Sequence, residues 1–175
     1  MHKPVLLSEV VQFAKEISPK TILDGTFGRG GHTRALLEAI PEAVVTAIDQ
    51  DLTAVEHGKS MAEPRLSVRH FNFHNMARLE NRPGQGFDVI LLDLGVSSPQ
   101  LDEAGRGFSF YHEGPLDMRM DQTLPYTAAD VVNTWPEVEL LELFTGLGEI
   151  RRPQRVVRAI VADRKEKTFA STRDS

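Results

Sequence analysis

Thr21-Ile22-Leu23-Asp24-Gly25-Thr26-Phe27-Gly28-Arg29-Gly30-Gly31-His32 reads as a short apolar strand ending on a carboxylate, then a glycine-rich turn and the start of a helix. Outward from it, a helix over 34–40 is stopped by Pro41, and Val44-Val45-Thr46-Ala47-Ile48 follows as an unbroken apolar strand ending in Asp49. Such runs suit a parallel sheet covered on both faces. The alternation continues through a helix at 52–61, a strand at 66–71, a helix around 74–79 and a strand at 87–92, and it implies a doubly wound α/β sheet of about four parallel strands. On the N-terminal side Ser8 is placed to cap a helix that Pro19 ends.

Beyond Asp93 the pattern changes. Residues 94–124 are rich in Gly, Ser, Pro and Asp and lack a sustained period, which marks a functional loop rather than a plain connection. Helices resume at 127–133, where Thr127 and Asp130 stand at capping-box spacing, at 137–145, and at 154–162 after Pro153. The last residues, 163–175, read as frayed. The expected organisation is a ligand-binding domain over 1–100 followed by a loop and helical segment over 101–175.

Of the 175 residues, 41% are hydrophobic and 26% charged, the balance of a soluble globular chain. No apolar run reaches the roughly 18 residues of a membrane span and no signal-peptide core is present, so the expected location is the cytoplasm, with no membrane partner. There is no cysteine. This excludes disulfides and thiolate metal sites, and it removes the covalent thiolate route to pyrimidine carbon, leaving nitrogen or oxygen as acceptors. His70 and His74 stand at i, i+4 without a suitably spaced carboxylate, so no metal is expected. The net charge of −5 is uneven: residues 1–150 carry 12 Lys and Arg against 22 Asp and Glu, whereas 151–175 carry 8 against 3. A basic tail of this kind suits a phosphate backbone, as it also suits a solvated helix face.

Ligands of doubly wound sheets lie at the carboxyl ends of the strands. There Gly28 and Gly30 permit close backbone approach, and Asp49 is placed to accept hydrogen bonds from two ribose hydroxyls. Thr33 occupies the third glycine of a dinucleotide fingerprint, which disfavours an NAD-dependent oxidoreductase. Asp24 with Gly28 and Gly30 instead gives the D-x-x-x-G-x-G order of class I methyltransferases.

Three strings resemble the RsmH (MraW) family of S-adenosylmethionine-dependent methyltransferases: residues 24–32, residues 91–102 (Leu91-Leu92-Asp93-Leu94-Gly95-Val96-Ser97-Ser98-Pro99-Gln100-Leu101-Asp102), and Arg106-Gly107-Phe108-Ser109-Phe110 continued by 114–121. The opening 2–7 is similar as well. The resemblance implies a Rossmann-like fold, S-adenosylmethionine as donor, and the N4 amine of a cytidine in 16S rRNA of the small ribosomal subunit as acceptor. It also implies donor contacts from Gly30, Gly31, His32, Asp49, Phe73, Asp93 and Gln100. Beside these, the chemistry assigns the amine to Asp93 with Ser97 or Ser98, base stacking to Phe108, Phe110 or Tyr111, and phosphates to Arg106, Arg119 and the basic 151–167 segment. Family members are longer, with a helical substrate domain inserted after the fourth strand. The chain therefore reads as ending within that insertion, with a remnant that binds donor or RNA without turnover as the alternative, and with self-association through the exposed strand 87–92 as the expected consequence.

Overall fold

The computed structural model describes residues 4–80 and 83–174; His2 and Lys3 of the N-terminal string lie outside them. The chain forms two compact units, residues 1–97 and 98–175. The first contains α1 (Leu7–Ile17), β1 (Thr21–Asp24), α2 (Gly31–Ala39), β2 (Val44–Asp49), α3 (Leu52–Ser60), β3 (Leu66–His70), a 3-10 turn (Phe73–Arg78) and β4 (Val89–Leu91). All strands are parallel, in the order β3-β2-β1-β4. This is the α/β sheet expected from the apolar runs. The chain winds outward from β1 through β2 to β3, then returns to place β4 on the other side of β1. The switch in strand order therefore lies between β1 and β4, and the ends of those strands carry Asp24 and, two residues past Leu91, Asp93.

Apolar residues cover both faces of the sheet. Ile22, Val45 and Ala47 join Ala14, Leu36 and Val55 from the helices, while Leu23, Ile48 and Leu79 form a smaller core with Phe71, Phe73 and Phe87 packed against it. β4 is shorter than the 87–92 run, because pairing with β1 spans only Ile22↔Val89 to Asp24↔Leu91. It is an edge strand, with Ile90 exposed. Two N-terminal details also differ from expectation. Ser8 lies inside α1 and bonds to Glu9, and the residue before the helix is Leu6 with φ of 49°. The 74–79 helix is a 3-10 turn capped by Asn72, whose side chain accepts from the His74 amide.

In the second unit, α4 (Ser98–Asp102) and a short 3-10 turn (Ala104–Arg106) lie in the 94–124 stretch, followed by α5 (Ala128–Thr134), α6 (Glu137–Gly146) and α7 (Pro153–Asp163). The Thr127–Asp130 capping box is formed in both directions, and Pro153 opens α7 where its missing N–H costs nothing. Leu140 and Val157 are the buried anchors of α6 and α7. Residues 168–174 are not frayed. They form an antiparallel bridge, Pro115↔Ser171, and bury Thr172. No helix among the described residues is long and apolar enough to cross a membrane.

Asp88 ties the start of β4 to β1: one carboxylate oxygen accepts from the Lys20 amide (2.8 Å), the Thr21 amide (2.9 Å) and the Thr21 hydroxyl (3.0 Å). These donors, the Thr21 amide first, hold its carboxyl below the usual range. A depressed folded pKa contributes stability that is present above the ordinary carboxylate pKa and is lost as pH falls through the folded value. Asp88→Asn should therefore be less stable than the parent at neutral pH, with the difference shrinking on acidification. Urea unfolding over a pH series checks this; a pH-independent difference would contradict it.

Candidate functional site

The last residue of β1 organises the glycine turn. Asp24 is 1% exposed; its Oδ1 accepts from the Thr26 amide (3.1 Å) and its Oδ2 from the Thr33 hydroxyl (2.6 Å). Burial pushes its pKa up, against the opposing effect of these donors. A buried carboxylate is costly unless hydrogen-bonded, so the two bonds fix the turn's entry at Thr26 and its exit into α2 at Thr33. Between them Gly28 and Gly30 adopt φ of 54° and 68°, values that glycine takes without Cβ strain. Above Gly28 the space is open: a Cβ there would meet nothing within 4 Å.

The tip of β2 holds the same turn from the other side. Asp49 Oδ2 accepts from the Gly28 amide (2.8 Å) and Oδ1 from the Asp51 amide (2.9 Å). With the Gln50 amide as a further backbone donor, these bonds orient Asp49 and leave part of its acceptor capacity open. Burial raises its pKa, with the Asp51 and Gly28 amides acting against that shift.

Asp93 follows β4 with its side chain 42% exposed. Its amide donates to the Thr26 hydroxyl oxygen (2.7 Å), so the turn after β1 and the loop after β4 are joined. His32, in the first turn of α2, is buried; its Nε2 lies 2.9 Å from the Val5 carbonyl oxygen and its Nδ1 3.8 Å from Asp93 Oδ2. A carbonyl only accepts, so Nε2 carries the hydrogen and Nδ1 is the nitrogen turned toward Asp93. Pro4 packs directly on Gly31, where a Cβ would collide with it. The segment before α1 thus lies across the start of α2. Phe73 is half-buried against the smaller core and approaches Gly25. The first unit therefore brings Gly30, Gly31, His32, Asp49, Phe73 and Asp93 to the carboxyl ends of its strands, with Ser97 at its end.

Ser98 and Gln100 belong to α4 of the second unit, where Gln100 is buried. Arg106 and Arg119, expected to hold phosphate, are turned to internal work. Arg106 is 5% exposed and donates to the carbonyls of Arg119 and Met120. Arg119 pairs with Asp117 (2.7 Å) and donates to the carbonyls of Gln122 and Leu124. Both guanidiniums take the place of a regular hydrogen-bond ladder in the irregular 104–124 loop, which corrects the phosphate assignment. Phe108 is half-buried, while Phe110 and Tyr111 stand exposed. In the basic segment Arg164 is also structural, donating to the carbonyls of Val132 and Trp135 at the end of α5, and Lys167 pairs with Asp174. Arg151, Arg152, Arg155 and Arg158 are exposed.

Sequence reasoning missed Thr26, Thr33 and Val5. Thr33 could have been found from the residue that excluded the dinucleotide fingerprint: a threonine nine positions after a strand-terminal aspartate has the hydroxyl that a buried carboxylate needs.

Residues 1–175 match the MraW methylase family. The chain is similar to proteins named ribosomal RNA small subunit methyltransferase H: from Bdellovibrio bacteriovorus at 48% identity over 98% of this chain and 54% of the relative, from Chelativorans sp. at 51% over 99% and 50%, and from Carboxydothermus hydrogenoformans at 43% over 98% and 56%. The chain spans about half the length of these relatives.

Thr33→Val keeps the shape of the side chain and removes the Asp24 partner. A hydrogen bond to a charged group contributes about 1.5–3 kcal/mol, and the raised pKa of Asp24 fixes the pH dependence. Below it the acid is neutral and the loss is smaller; above it the lone carboxylate makes the loss larger. Denaturant melts of parent and variant over a pH series check this, and a pH-independent loss would show that Thr33 does not bond the ionised form.

Proposed function

Because the chain belongs to the MraW methylase family, we propose that it carries the donor site of an S-adenosylmethionine-dependent methyltransferase acting on the N4 amine of a cytidine in 16S rRNA. The observation that carries this reading is the glycine turn held between Asp24 and Asp49, with open space above Gly28 and Asp93 joined to it through Thr26. The charge of the site supports it over a dinucleotide site. Asp49 and Asp93 flank the turn, an arrangement that suits a donor carrying a sulfonium and an amino group better than an anionic pyrophosphate.

In this reading Asp49 takes the ribose hydroxyls, Gly30 and Gly31 offer backbone at the start of α2 to the methionine carboxylate, and Phe73 lies against adenine. His32 completes the donor contacts of the first unit. The donor, when bound, supplies an electrophilic methyl group on sulfur. The acceptor amine is a weak nucleophile because its lone pair is delocalised into the pyrimidine ring. Asp93, with Ser97, accepts hydrogen bonds from the amine hydrogens, which restores electron density to nitrogen and fixes its direction of approach. As the N–C bond formed and the methyl–sulfur bond broke, its electron pair would stay on sulfur to leave the neutral thioether, and Asp93 would accept the proton that nitrogen releases. The target base has to leave its stack to reach such a site, and the 98–175 unit is proposed as the RNA-binding segment. Its exposed arginines, rather than Arg106 and Arg119, take the phosphates.

Asp49→Ala should weaken binding of S-adenosylhomocysteine by more than tenfold, since two charge-assisted hydrogen bonds at about 1.5–3 kcal/mol each are lost. Bound hydroxyls favour ionised Asp49, so the parent's affinity should be full above the raised pKa of this carboxyl and fall as pH drops through it. Calorimetry across pH tests both; unchanged affinity in the variant would remove Asp49 from the site.

Replacing Arg151, Arg152, Arg155 and Arg158 should weaken rRNA binding and flatten its log–log salt dependence by roughly 0.7–0.9 per lost phosphate contact, while donor binding persists. A salt slope equal to the parent's would leave these arginines as a solvated face. The activity itself is tested with a tritiated methyl donor and small ribosomal subunits: label should appear as N4-methylcytidine in nuclease digests, and label on another atom or on protein would overturn the assignment.

A further inference from the structure

Phe110 and Tyr111 are 77% and 83% exposed, with ring centroids 5.2 Å apart and planes tilted by 44°. Two adjacent aromatic side chains in water are an unfavourable arrangement unless something covers them, and a flexible loop would let them collapse onto the unit. This loop is fixed. At its start the buried Ser109 accepts from the Tyr111 amide (3.2 Å). Beyond the rings, Gly114 lies so close to the Ala104 carbonyl that any side chain would collide with it.

The remaining support comes from the last described residues. Thr172, 7% exposed, donates its hydroxyl to the His112 carbonyl (3.2 Å), and the same oxygen accepts from the Gly114 amide (3.3 Å). Its own amide donates to the Gly114 carbonyl (2.9 Å), the Leu116 amide donates to the Ala170 carbonyl (3.0 Å), and Arg173 pairs with Glu113 (3.2 Å). Asn133 holds the approach to this segment, donating to the Phe169 carbonyl and accepting from the Phe169 amide. The 168–174 segment is therefore a strap that clamps the chain on the far side of the aromatic pair.

We propose that Phe110 and Tyr111 form a preorganised stacking platform for unpaired bases of single-stranded RNA, and that Thr172 is the positioning residue that holds it. The platform rests on the reading of this chain as an RNA-modifying protein. Its occupant follows from the chemistry of the unit: exposed π-faces on a hydrogen-bonded loop, in a unit that also carries four exposed arginines, Arg151, Arg152, Arg155 and Arg158, match a flexible polyanion whose bases are free to stack. A duplex presents the charge without free base faces, and an apolar protein partner would leave the arginines unmatched.

The test measures binding of a short fluorescein-labelled single-stranded RNA, and of its duplex, by anisotropy with no methyl donor present. The parent should prefer the single strand. Phe110→Ala and Tyr111→Ala, exposed positions that carry little folding risk, should each weaken it by about five- to a hundredfold without changing the salt slope. Thr172→Val should weaken binding similarly, Thr172→Ser should restore it, and Thr172→Val should add nothing when both aromatics are already alanine. Equal affinity for duplex and single strand, or alanine variants that bind like the parent, would overturn the platform. A Thr172→Val loss that persists in the alanine background would overturn the positioning role. Single-strand binding that depends on the aromatics in a protein unable to bind donor or transfer methyl would leave the platform standing while removing the transferase reading, so the two fail separately.

Discussion

A carboxylate at the end of a central strand, 1% exposed, has to be given donors by the chain around it, and at Asp24 those donors come from both sides of the glycine turn. The Thr26 amide answers from the start of the turn and the Thr33 hydroxyl from the first turn of α2. Thr26 in turn uses its own hydroxyl oxygen to receive the Asp93 amide, so the same short segment fixes the loop after β4. Asp49 closes the arrangement from β2 by holding the Gly28 amide. Three strand ends are thereby set by one buried carboxyl group and its immediate partners.

The sheet order explains why this happens at these residues. With β1 between β2 and β4, the switch point collects the three aspartates from three separate places in the sequence. Burial raises the carboxyl pKa of Asp24 and Asp49, which records the cost of bringing negative charge into this region. The cationic donor proposed from family membership suits carboxyl groups gathered in this way. In the second unit the same problem of organising irregular chain is met with cations. Arg106, Arg119 and Arg164 each donate to backbone carbonyls that no helix or strand satisfies.

The first unit was readable because its signals are local. Apolar runs bounded by aspartate or proline mark β1 and β2, and the glycine turn stands where the strand ends. Even there, the extent of β4 depended on how many residues of β1 face it, which no run of hydrophobic letters records. The second unit was less readable for a physical reason. Its loop is held by aspartates bonding two residues ahead, by guanidinium–carbonyl bonds and by a strap nearly sixty residues downstream, and none of these produces a period. Counting arginines told the sign of the 151–175 segment but not that Arg164 points inward while Arg155 and Arg158 remain exposed. The polar tail looked frayed because its Thr172 is buried by hydrogen bonding rather than by apolar packing.

The claim on which everything functional depends is that the pinned glycine turn is the donor site. The most direct measurement is a heteronuclear NMR titration of the chain with S-adenosylhomocysteine. The account predicts that the largest amide shifts fall at Gly28, Gly30, Gly31, Asp49 and Asp93, with the amides of α7 unmoved. Saturable binding with its shifts centred elsewhere, or no shifts at donor concentrations that saturate related methyltransferases, would contradict it.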